Sequence, residues 1–222
     1  MTQRSIIGPS VLSADFTRYG DELLAVMEAG ADYIHFDVMD GAFVPNISIG
    51  FPILDATMRV ATIPIDVHLM IENPDTWAPA FAARGVDQVT FHPEATYHVH
   101  RVIMSINDAG AKAGLAINPA TPLAAVEEML PFIDNLLVMT INPGFGGQAL
   151  IPQMREKVRR ARQMIDAINP ACRLQVDGGV DRHTIRSLQA AGADSFVAGS
   201  AVFNDSGTIA ENLQDLRDQL AD

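Results

Sequence analysis

Eight short segments of strand-like composition alternate with amphipathic helical patterns along this 222-residue chain, and this alternation restricts the fold more than any other feature. Strands separated by helices form parallel sheets, and eight such units close into a (β/α)8 barrel. We therefore predict an α/β fold, a single TIM-barrel domain over residues 1–222. An open doubly wound sheet is the alternative architecture. The predicted strands cover residues 6–12, 33–39, 65–70, 88–92, 113–118, 136–141, 173–177 and 195–198.

The intervening segments carry apolar residues at helical spacing. The clearest patterns cover residues 21–29, 153–168, 184–191 and 209–220. The first pattern ends at Gly30, and a glycine just beyond the last apolar turn is a common helix stop. The phrase Ala-Gly-Ala-Asp occurs at residues 29–32 and again at 191–194, each time between a helix and the next strand. This repetition predicts the same tight return to the sheet at both places.

Composition excludes several classes of partner. The formal net charge is −12 and the pI is near 4.7, so a polyanion such as nucleic acid would be repelled. A small anionic substrate is still compatible, because backbone N–H groups can hold a phosphate locally. We find no apolar run long enough to span a bilayer and no signal-peptide pattern. The single cysteine, Cys172, suits a reducing compartment. We therefore predict a cytoplasmic protein with no nucleic-acid or membrane partner.

Polar residues at the ends of three predicted strands indicate a metal centre. Side chains alternate faces along a strand, so His35 and Asp37 share one face, and Asp66 and His68 share the equivalent face of the next strand. Asp177 ends the seventh strand. Active sites of TIM barrels lie at the carboxyl ends of the strands, where these side chains would converge. Two imidazoles with two carboxylates suit a first-row divalent ion, Zn²⁺ first, with Fe²⁺, Mn²⁺ or Co²⁺ also allowed.

Glycine-rich loops after three neighbouring strands indicate a phosphate site. TIM barrels commonly hold a phosphate with the loops after strands seven and eight, and glycines let backbone N–H groups approach the anion. Tight turns alone are the simpler explanation of any single loop. The loop residues in question are Gly144, Phe145, Gly146 and Gly147 after strand six, Gly178 and Gly179 after strand seven, and Gly199 and Ser200 after strand eight.

Three methionines and four histidines complete the candidates. Met39, Met70 and Met139 fall at or near the carboxyl ends of strands, where they would line the pocket and exclude water, although core packing is the simpler role. We place His92 near the rim of the barrel. The remaining histidines lie in predicted loops or helices and are expected to be solvated: His98, His100 and His183.

The order and length of several motifs resemble those of the ribulose-phosphate 3-epimerase family over nearly the whole chain. The resemblance implies a barrel of the ribulose-phosphate-binding type and an isomerase of the pentose phosphate pathway that interconverts D-ribulose 5-phosphate and D-xylulose 5-phosphate. It also implies a homo-oligomer. The motifs are PSVLSADF at 9–16, HFDVMDG at 35–41, FVPN at 43–46, DVHLM at 66–70, NPATP at 118–122, the segment 142–148, VDGG at 176–179 and AGSAVF at 198–203.

The resemblance also implies roles for individual residues. One divalent ion per subunit would be bound by His35, Asp37, His68 and Asp177, with Asp37 and Asp177 as the acid/base pair. One aspartate would remove the C3 proton, the other would protonate the opposite face, and the ion would stabilise the enediolate between them. Ser10 and His68 match substrate contacts. The remaining substrate and phosphate positions are Gly144, Phe145, Gly146, Gly147, Gly178, Gly179, Gly199 and Ser200.

Two positions depart from the family pattern, and three other functions stay open. Gly8 stands where the family usually has Ala, and Ala149-Leu150 replaces a more usual Lys-Phe pair. A six-carbon ketose phosphate such as allulose 6-phosphate is one alternative substrate. A phosphosugar decarboxylase or aldolase would need a catalytic lysine, but Lys112 and Lys157 fall in predicted helices or at their ends. A non-catalytic sugar-phosphate-binding barrel is the third alternative. The segment 40–50 is a candidate lid.

Overall fold

Eight parallel strands form one sheet in the computed structural model, which describes residues 4–220. Each strand pairs with its neighbour in chain order from β2 to β8, and β8 then pairs with β1. The TIM-barrel prediction is confirmed. The strands are β1 Ile6–Pro9, β2 Ile34–Met39, β3 Ile65–Met70, β4 Gln88–Phe91, β5 Lys112–Ile117, β6 Asn135–Met139, β7 Arg173–Asp177 and β8 Ser195–Ala198.

The barrel is brought nearly to closure between β1 and β2 by single contacts. Ser10 forms an isolated parallel bridge with His35, and the Asp32 N–H donates to the Ile7 carbonyl at 3.0 Å. The predicted first strand, 6–12, is too long, because the chain leaves the sheet after Pro9 and forms a 3₁₀ turn over Val11–Ser13. The Ser13 N–H donates to the Ser10 carbonyl within this turn, which carries both serines over the barrel mouth.

Seven α-helices surround the strands in the described part of the chain, and the four helices predicted in detail agree with them closely. The connection from β5 to β6 contains 3₁₀ helices, Leu123–Ala125 and Glu127–Phe132, and Pro131 removes a backbone donor there. No helix within residues 4–220 has the length and hydropathy needed to cross a membrane. The helices are α1 Tyr19–Glu28, α2 Phe51–Val60, α3 Pro74–Ala82, α4 Val99–Asp108, α5 Met154–Ile168, α6 Ile185–Ala190 and α7 Ile209–Gln219.

The two faces of β2 carry apolar and polar residues respectively, as the alternation in its sequence predicts. Ile34, Phe36 and Val38 belong to the main hydrophobic core, which packs between the strands and the surrounding helices. His35 and Asp37 lie on the opposite, inner face, and both are buried. The apolar side therefore fixes the register that turns the polar side into the barrel.

A repeated aspartate closes the amino-terminal end of the barrel and explains the recurring Ala-Gly-Ala-Asp phrase. Each of these carboxylates accepts the backbone N–H at or near the start of an odd-numbered strand, so one short phrase aligns two neighbouring strands. The four pairs are Asp32 with Ile7 at 2.9 Å, Asp87 with Ile65 at 2.9 Å, Asp134 with Ala113 at 3.3 Å, and Asp194 with Leu174 at 3.2 Å.

Candidate active site

Four side chains converge at the carboxyl ends of β2, β3 and β7. His35, Asp37, His68 and Asp177 each offer one ligand atom, and these atoms all lie within 4.8 Å of one another. His35 Nε2 is 3.2 Å and His68 Nδ1 is 3.0 Å from Asp37 Oδ1. His68 Nδ1 is 3.8 Å from Asp177 Oδ2. The structure thus brings together the four residues that the sequence marked as metal ligands.

The register of the sheet creates this convergence. Asp37 on β2 lies directly beside His68 on β3, and His35 lies beside Asp66 in the same ladder. Both histidines are fully buried, so bulk water does not compete for the hydrogen-bond partners of either imidazole. Asp177 is more open, with 17% of its side chain exposed, and it faces the cavity above the cluster.

The two carboxyl groups have opposite electrostatic environments. Burial alone would raise the pKa of Asp37, but His35 and His68 outweigh burial and hold that pKa well below its usual range. Ser10 Oγ also donates to Asp37 Oδ2 at 2.5 Å. Burial, together with the nearby charge of Asp37, raises the pKa of Asp177. Carboxyl groups whose pKa values are pushed apart in this way are typical of acid/base pairs.

The donor set fits a divalent cation. The buried His35 Nε2 has no hydrogen-bond partner within residues 4–220, although it points into the carboxylate cluster. Its other nitrogen, Nδ1, is 2.9 Å from Asp66 Oδ2. A histidine held by a carboxylate at one nitrogen and left open at the other is a common arrangement of metal ligands. Two nitrogens and two carboxylates suit Zn²⁺ and its first-row neighbours.

A cavity of about 260 Å³ opens directly above this cluster. It is lined by every residue that the sequence assigned to substrate, phosphate or pocket wall, apart from the buried His68. The lining residues among them are Ser10, Met39, Met70, Met139, Gly144, Phe145, Gly146, Gly147, Gly178, Gly179, Gly199 and Ser200.

Two of the glycines are also required by packing. Gly178 has φ +111°, and a Cβ there would lie 2.2 Å from Ile141 Cγ1. Gly179 has φ +64°, and its Cβ would lie 2.4 Å from the backbone nitrogen of Leu150. Neither position therefore accommodates a side chain, whatever occupies the cavity. Backbone conformation and packing therefore account for glycine at both positions, and a phosphate role for the pair stays a prediction.

Sequence reasoning missed Ser13 and underestimated the burial of His92. Ser13 lines the cavity, and its Oγ lies between Gly146 and Gly199. The signal was present in the PSVLS motif, which places two serines one turn apart. His92 was placed near the rim, but it is fully buried, and its Nε2 is 2.9 Å from His68 Nε2. The other three histidines are exposed, as expected: His98, His100 and His183.

The candidate lid is tied to the site at several points. The Ser48 hydroxyl donates to the Asp37 carbonyl at 2.8 Å and accepts the Met39 N–H at 2.8 Å. The Asn46 side chain donates to the Gly144 carbonyl at 2.8 Å, which joins the segment 40–50 to the glycine loop. Phe43 packs against His92, with ring centroids 4.7 Å apart. The segment is therefore fixed to β2, to the glycine loop and to His92.

Neither lysine enters the cavity. Lys112 was expected in or beside a helix but begins β5, at the end of the barrel away from the cluster. Lys157 does lie in α5, where its ammonium donates to the carbonyls of Asn118 at 2.7 Å and Thr121 at 2.5 Å. A lysine-dependent decarboxylase or aldolase mechanism has no suitable group here.

The barrel and its site define an α/β-barrel enzyme with a candidate metal centre at the carboxyl ends of the strands. Comparison with known families makes this specific: residues 6–203 match the model of the "Ribulose-phosphate 3 epimerase family". The chain belongs to the ribulose-phosphate 3-epimerase family, a family of isomerases.

Individual relatives agree. The ribulose-phosphate 3-epimerase of Escherichia coli K12 is 48% identical over 217 residues, which cover 97% of this chain and 96% of the relative. That of Mycobacterium bovis is 50% identical over 198 residues, covering 89% and 86%. Among solved structures, a KGPDC from Streptococcus mutans aligns with TM-score 0.73 at 13% identity, covering 98% of this chain and 97% of that one. A 3-hexulose-6-phosphate synthase aligns with TM-score 0.68 at 18% identity, covering 99% of both chains. The last two support the fold alone.

Proposed function

We propose that this protein interconverts D-ribulose 5-phosphate and D-xylulose 5-phosphate by inverting C3, in a reaction that depends on one divalent metal ion per subunit. The observation that carries this proposal is the convergence of His35, Asp37, His68 and Asp177 beneath the cavity of an epimerase-family barrel. The relatives that match nearly the whole chain carry the name of this activity.

Asp37 and Asp177 are the groups that move the C3 proton. They stand on β2 and β7, with β1 and β8 between them, so their carboxylates approach the cavity from two directions. Inversion requires one group to take the proton from one face of C3 and another to return it to the opposite face. In either direction of reaction one aspartate starts ionised and takes the proton, while the other starts protonated and returns one. The reverse direction exchanges their roles.

His35, Asp37, His68 and Asp177 would hold the divalent ion, which would supply Lewis-acid stabilisation of the oxygen charge that develops as C3 loses its proton. The chain itself holds the remaining parts of the substrate. Backbone N–H groups around Gly146, Gly147, Gly179 and Gly199 bind the phosphate, with Gly144, Phe145, Gly178 and Ser200 shaping the same wall. Ser10 contacts the sugar, and the three methionines Met39, Met70 and Met139 exclude water around the reacting carbon. His68 is fully buried beneath the cavity, so we assign it to the ion and not to the sugar.

Substituting each aspartate tests the two-group scheme. We expect Asp37→Asn and Asp177→Asn each to lower turnover by about 10²–10⁴-fold, the usual contribution of general acid/base catalysis. The exposed Asp75→Asn is the matched control and should keep full turnover. Metal content is measured in each variant, so that a lost ion is distinguished from a lost proton carrier. A variant that retains both its metal and near-normal turnover would contradict the scheme.

Turnover on D-ribulose 5-phosphate and on D-allulose 6-phosphate decides between the five- and six-carbon substrates. The proposal expects the pentose phosphate to have the higher kcat/KM. Zn²⁺ as the native ion, a homo-oligomeric state and a cytoplasmic location remain predictions of this proposal.

A further inference from the structure

His68 presents its two ring nitrogens to different partners. Nδ1 faces the carboxylates of Asp37 at 3.0 Å and Asp177 at 3.8 Å, so it is the nitrogen available to a cation. Nε2 is 2.9 Å from His92 Nε2, and both rings are fully buried. Two nitrogens at this distance form a hydrogen bond only if one carries the proton and the other offers a lone pair. The direction of this single bond therefore decides which nitrogen of His68 is free.

Glu94 provides a group that sets this direction. His92 Nδ1 has no hydrogen-bond partner in the described chain, and the carboxylate oxygen Glu94 Oε2 lies 3.5 Å away from it. Glu94 Oε1 is already occupied, because it accepts the Asn118 N–H at 2.9 Å and the Thr121 hydroxyl at 2.5 Å. An ionised carboxylate cannot donate a proton, so its negative charge favours the His92 tautomer that carries the proton on Nδ1.

The surroundings keep Glu94 ionised and in place. Burial opposes its ionisation, but contacts with His92, Asn118 and Thr121 lower the pKa of Glu94 to about 2. Its side chain is 23% exposed, so the charge is partly solvated. The loop that it grips is held from the other side by Lys157, whose ammonium donates to the Asn118 and Thr121 carbonyls.

We propose that Glu94 and His92 are positioning residues that keep the proton of His68 on Nε2 and leave Nδ1 free to bind the divalent ion. The proposal rests on the metal-dependent function above. The charge of Glu94, 3.5 Å away, favours the proton of His92 on Nδ1, so that His92 Nε2 offers a lone pair to which His68 Nε2 donates. Second partners of this kind fix the ring orientation of metal-binding histidines.

His35 is held in the same way by a shorter connection. Asp66 Oδ2 lies 2.9 Å from His35 Nδ1, and Gln88 and Gln175 donate to the Asp66 carboxylate at 2.8 and 2.7 Å. Each metal-facing histidine is thus linked to one carboxylate, directly for His35 and through His92 for His68. The link through a second histidine has a property that a direct link lacks: its direction can be reversed by changing the residue at its far end.

Glu94→Gln provides this reversal. The Gln carbonyl would take over the contacts with Asn118 and Thr121, and its NH₂ group would face His92 Nδ1. His92 would then offer Nδ1 as the acceptor and carry its proton on Nε2, which forces the proton of His68 onto Nδ1 and blocks the cation. Glu94→Ala supplies neither donor nor acceptor, so His92 can choose either tautomer. The expected order of Zn²⁺ affinity is parent, then Glu94→Ala, then Glu94→Gln.

The experiment measures Zn²⁺ affinity by competition with a chromophoric chelator and His tautomers by ¹⁵N NMR of zinc-loaded, histidine-labelled protein. We expect Glu94→Gln to weaken Zn²⁺ binding by about 10–100-fold, the usual cost of losing such a partner. In the zinc-loaded parent, His68 should carry its proton on Nε2 and His92 should carry its proton on Nδ1. His92→Gln, whose carbonyl can still accept from His68, should restore affinity that His92→Phe loses. The matched controls are the exposed Glu127→Gln and His98→Gln.

A purely structural role for Glu94 predicts the opposite order, because Gln preserves shape better than Ala, and a purely electrostatic role predicts equal affinities, because both variants remove one charge. Zn²⁺ affinity in Glu94→Gln equal to or above that of Glu94→Ala would overturn the proposal, as would a His92 proton on Nε2 in the zinc-loaded parent. These readouts use the metal alone and no sugar phosphate. A failure of the relay is thus distinguishable from a failure of the epimerase assignment, which is measured by turnover of the parent protein.

Discussion

Replacing Gly8 with alanine would force a large aromatic ring out of the barrel interior. A Cβ at this position would lie 2.0 Å from Tyr33 Cε2 and 2.2 Å from Cζ, far inside the 3.4 Å at which ordinary contact begins. Tyr33 is buried, and its hydroxyl is held by Gln175 at 2.9 Å and Ser195 at 3.0 Å. Glycine at position 8 therefore leaves the space that this tyrosine fills.

The cost follows from the displacement. Relief of the overlap needs a ring movement of about 1.4 Å, the difference between 3.4 and 2.0 Å, and neither hydroxyl hydrogen bond survives a shift of that size. Overpacking a core costs about 1–3 kcal/mol, and each lost hydrogen bond costs about 0.5–1.5 kcal/mol. We expect Gly8→Ala to lower the free energy of unfolding by about 3 kcal/mol. For a chain of this length, that corresponds to a fall in Tm of about 6–12 °C.

Thermal and urea unfolding of four proteins measures this coupling: the parent, Gly8→Ala, Tyr33→Leu and the double variant. Leucine removes the ring, so Gly8→Ala should cost little in that background. Gly8→Ala in a Tyr33→Phe background is the control, because phenylalanine keeps the ring and the clash should persist. An unchanged Tm for Gly8→Ala, or the same loss with and without the Tyr33 ring, would refute the reasoning.

Four further predictions concern other parts of the structure. Gly179→Ala should lower both Tm and affinity for inorganic phosphate, because φ +64° and the Leu150 backbone leave no room for a Cβ; a fully stable variant would contradict this. Lys157→Met should lower Tm, because three carbonyls lose their donor. Each lost hydrogen bond should lower the free energy of unfolding by about 1–3 kcal/mol at most. Burial raises the pKa of the Cys172 thiol to about 12, so iodoacetamide should label native protein slowly at pH 9 and denatured protein quickly. As pH rises above about 8.5, the thiolate forms in the unfolded chain before it forms in the folded one, so the free energy of unfolding should fall. Chelator treatment should abolish turnover and Zn²⁺, Mn²⁺ or Co²⁺ should restore it, whereas undiminished turnover after verified metal removal would exclude metal dependence.

The parts of the fold that follow from local patterning could be predicted from the sequence. The alternation of Ile34, Phe36 and Val38 with His35 and Asp37 determined both the register of β2 and the side that faces the barrel interior. The repeated aspartate phrases marked strand starts correctly. The end of β1 could not be predicted in this way, because Val11 and Leu12 are apolar and β-compatible, yet the chain enters a 3₁₀ turn at Val11.

The role of His92 depended on contacts between distant residues. A single histidine beside a proline gives no local signal, and its partner His68 comes 24 residues earlier in the chain. Glu94 became meaningful only through its hydrogen bonds with the loop after β5. Likewise, the sequence suggested either tight turns or phosphate binding for the glycines at 178 and 179, while the structure shows that Ile141 and Leu150 exclude any side chain there. Pairings between elements, rather than patterns within them, supplied this information.

Exchange of the C3 proton is the most direct test of the central claim. The metal-replete protein is incubated with D-ribulose 5-phosphate in heavy water, with a chelator-treated sample alongside, and C3 is followed by proton NMR. The account predicts D-xylulose 5-phosphate carrying deuterium at C3, formed only in the metal-replete sample. Absence of exchange in both samples, or equal exchange with and without metal, would contradict it.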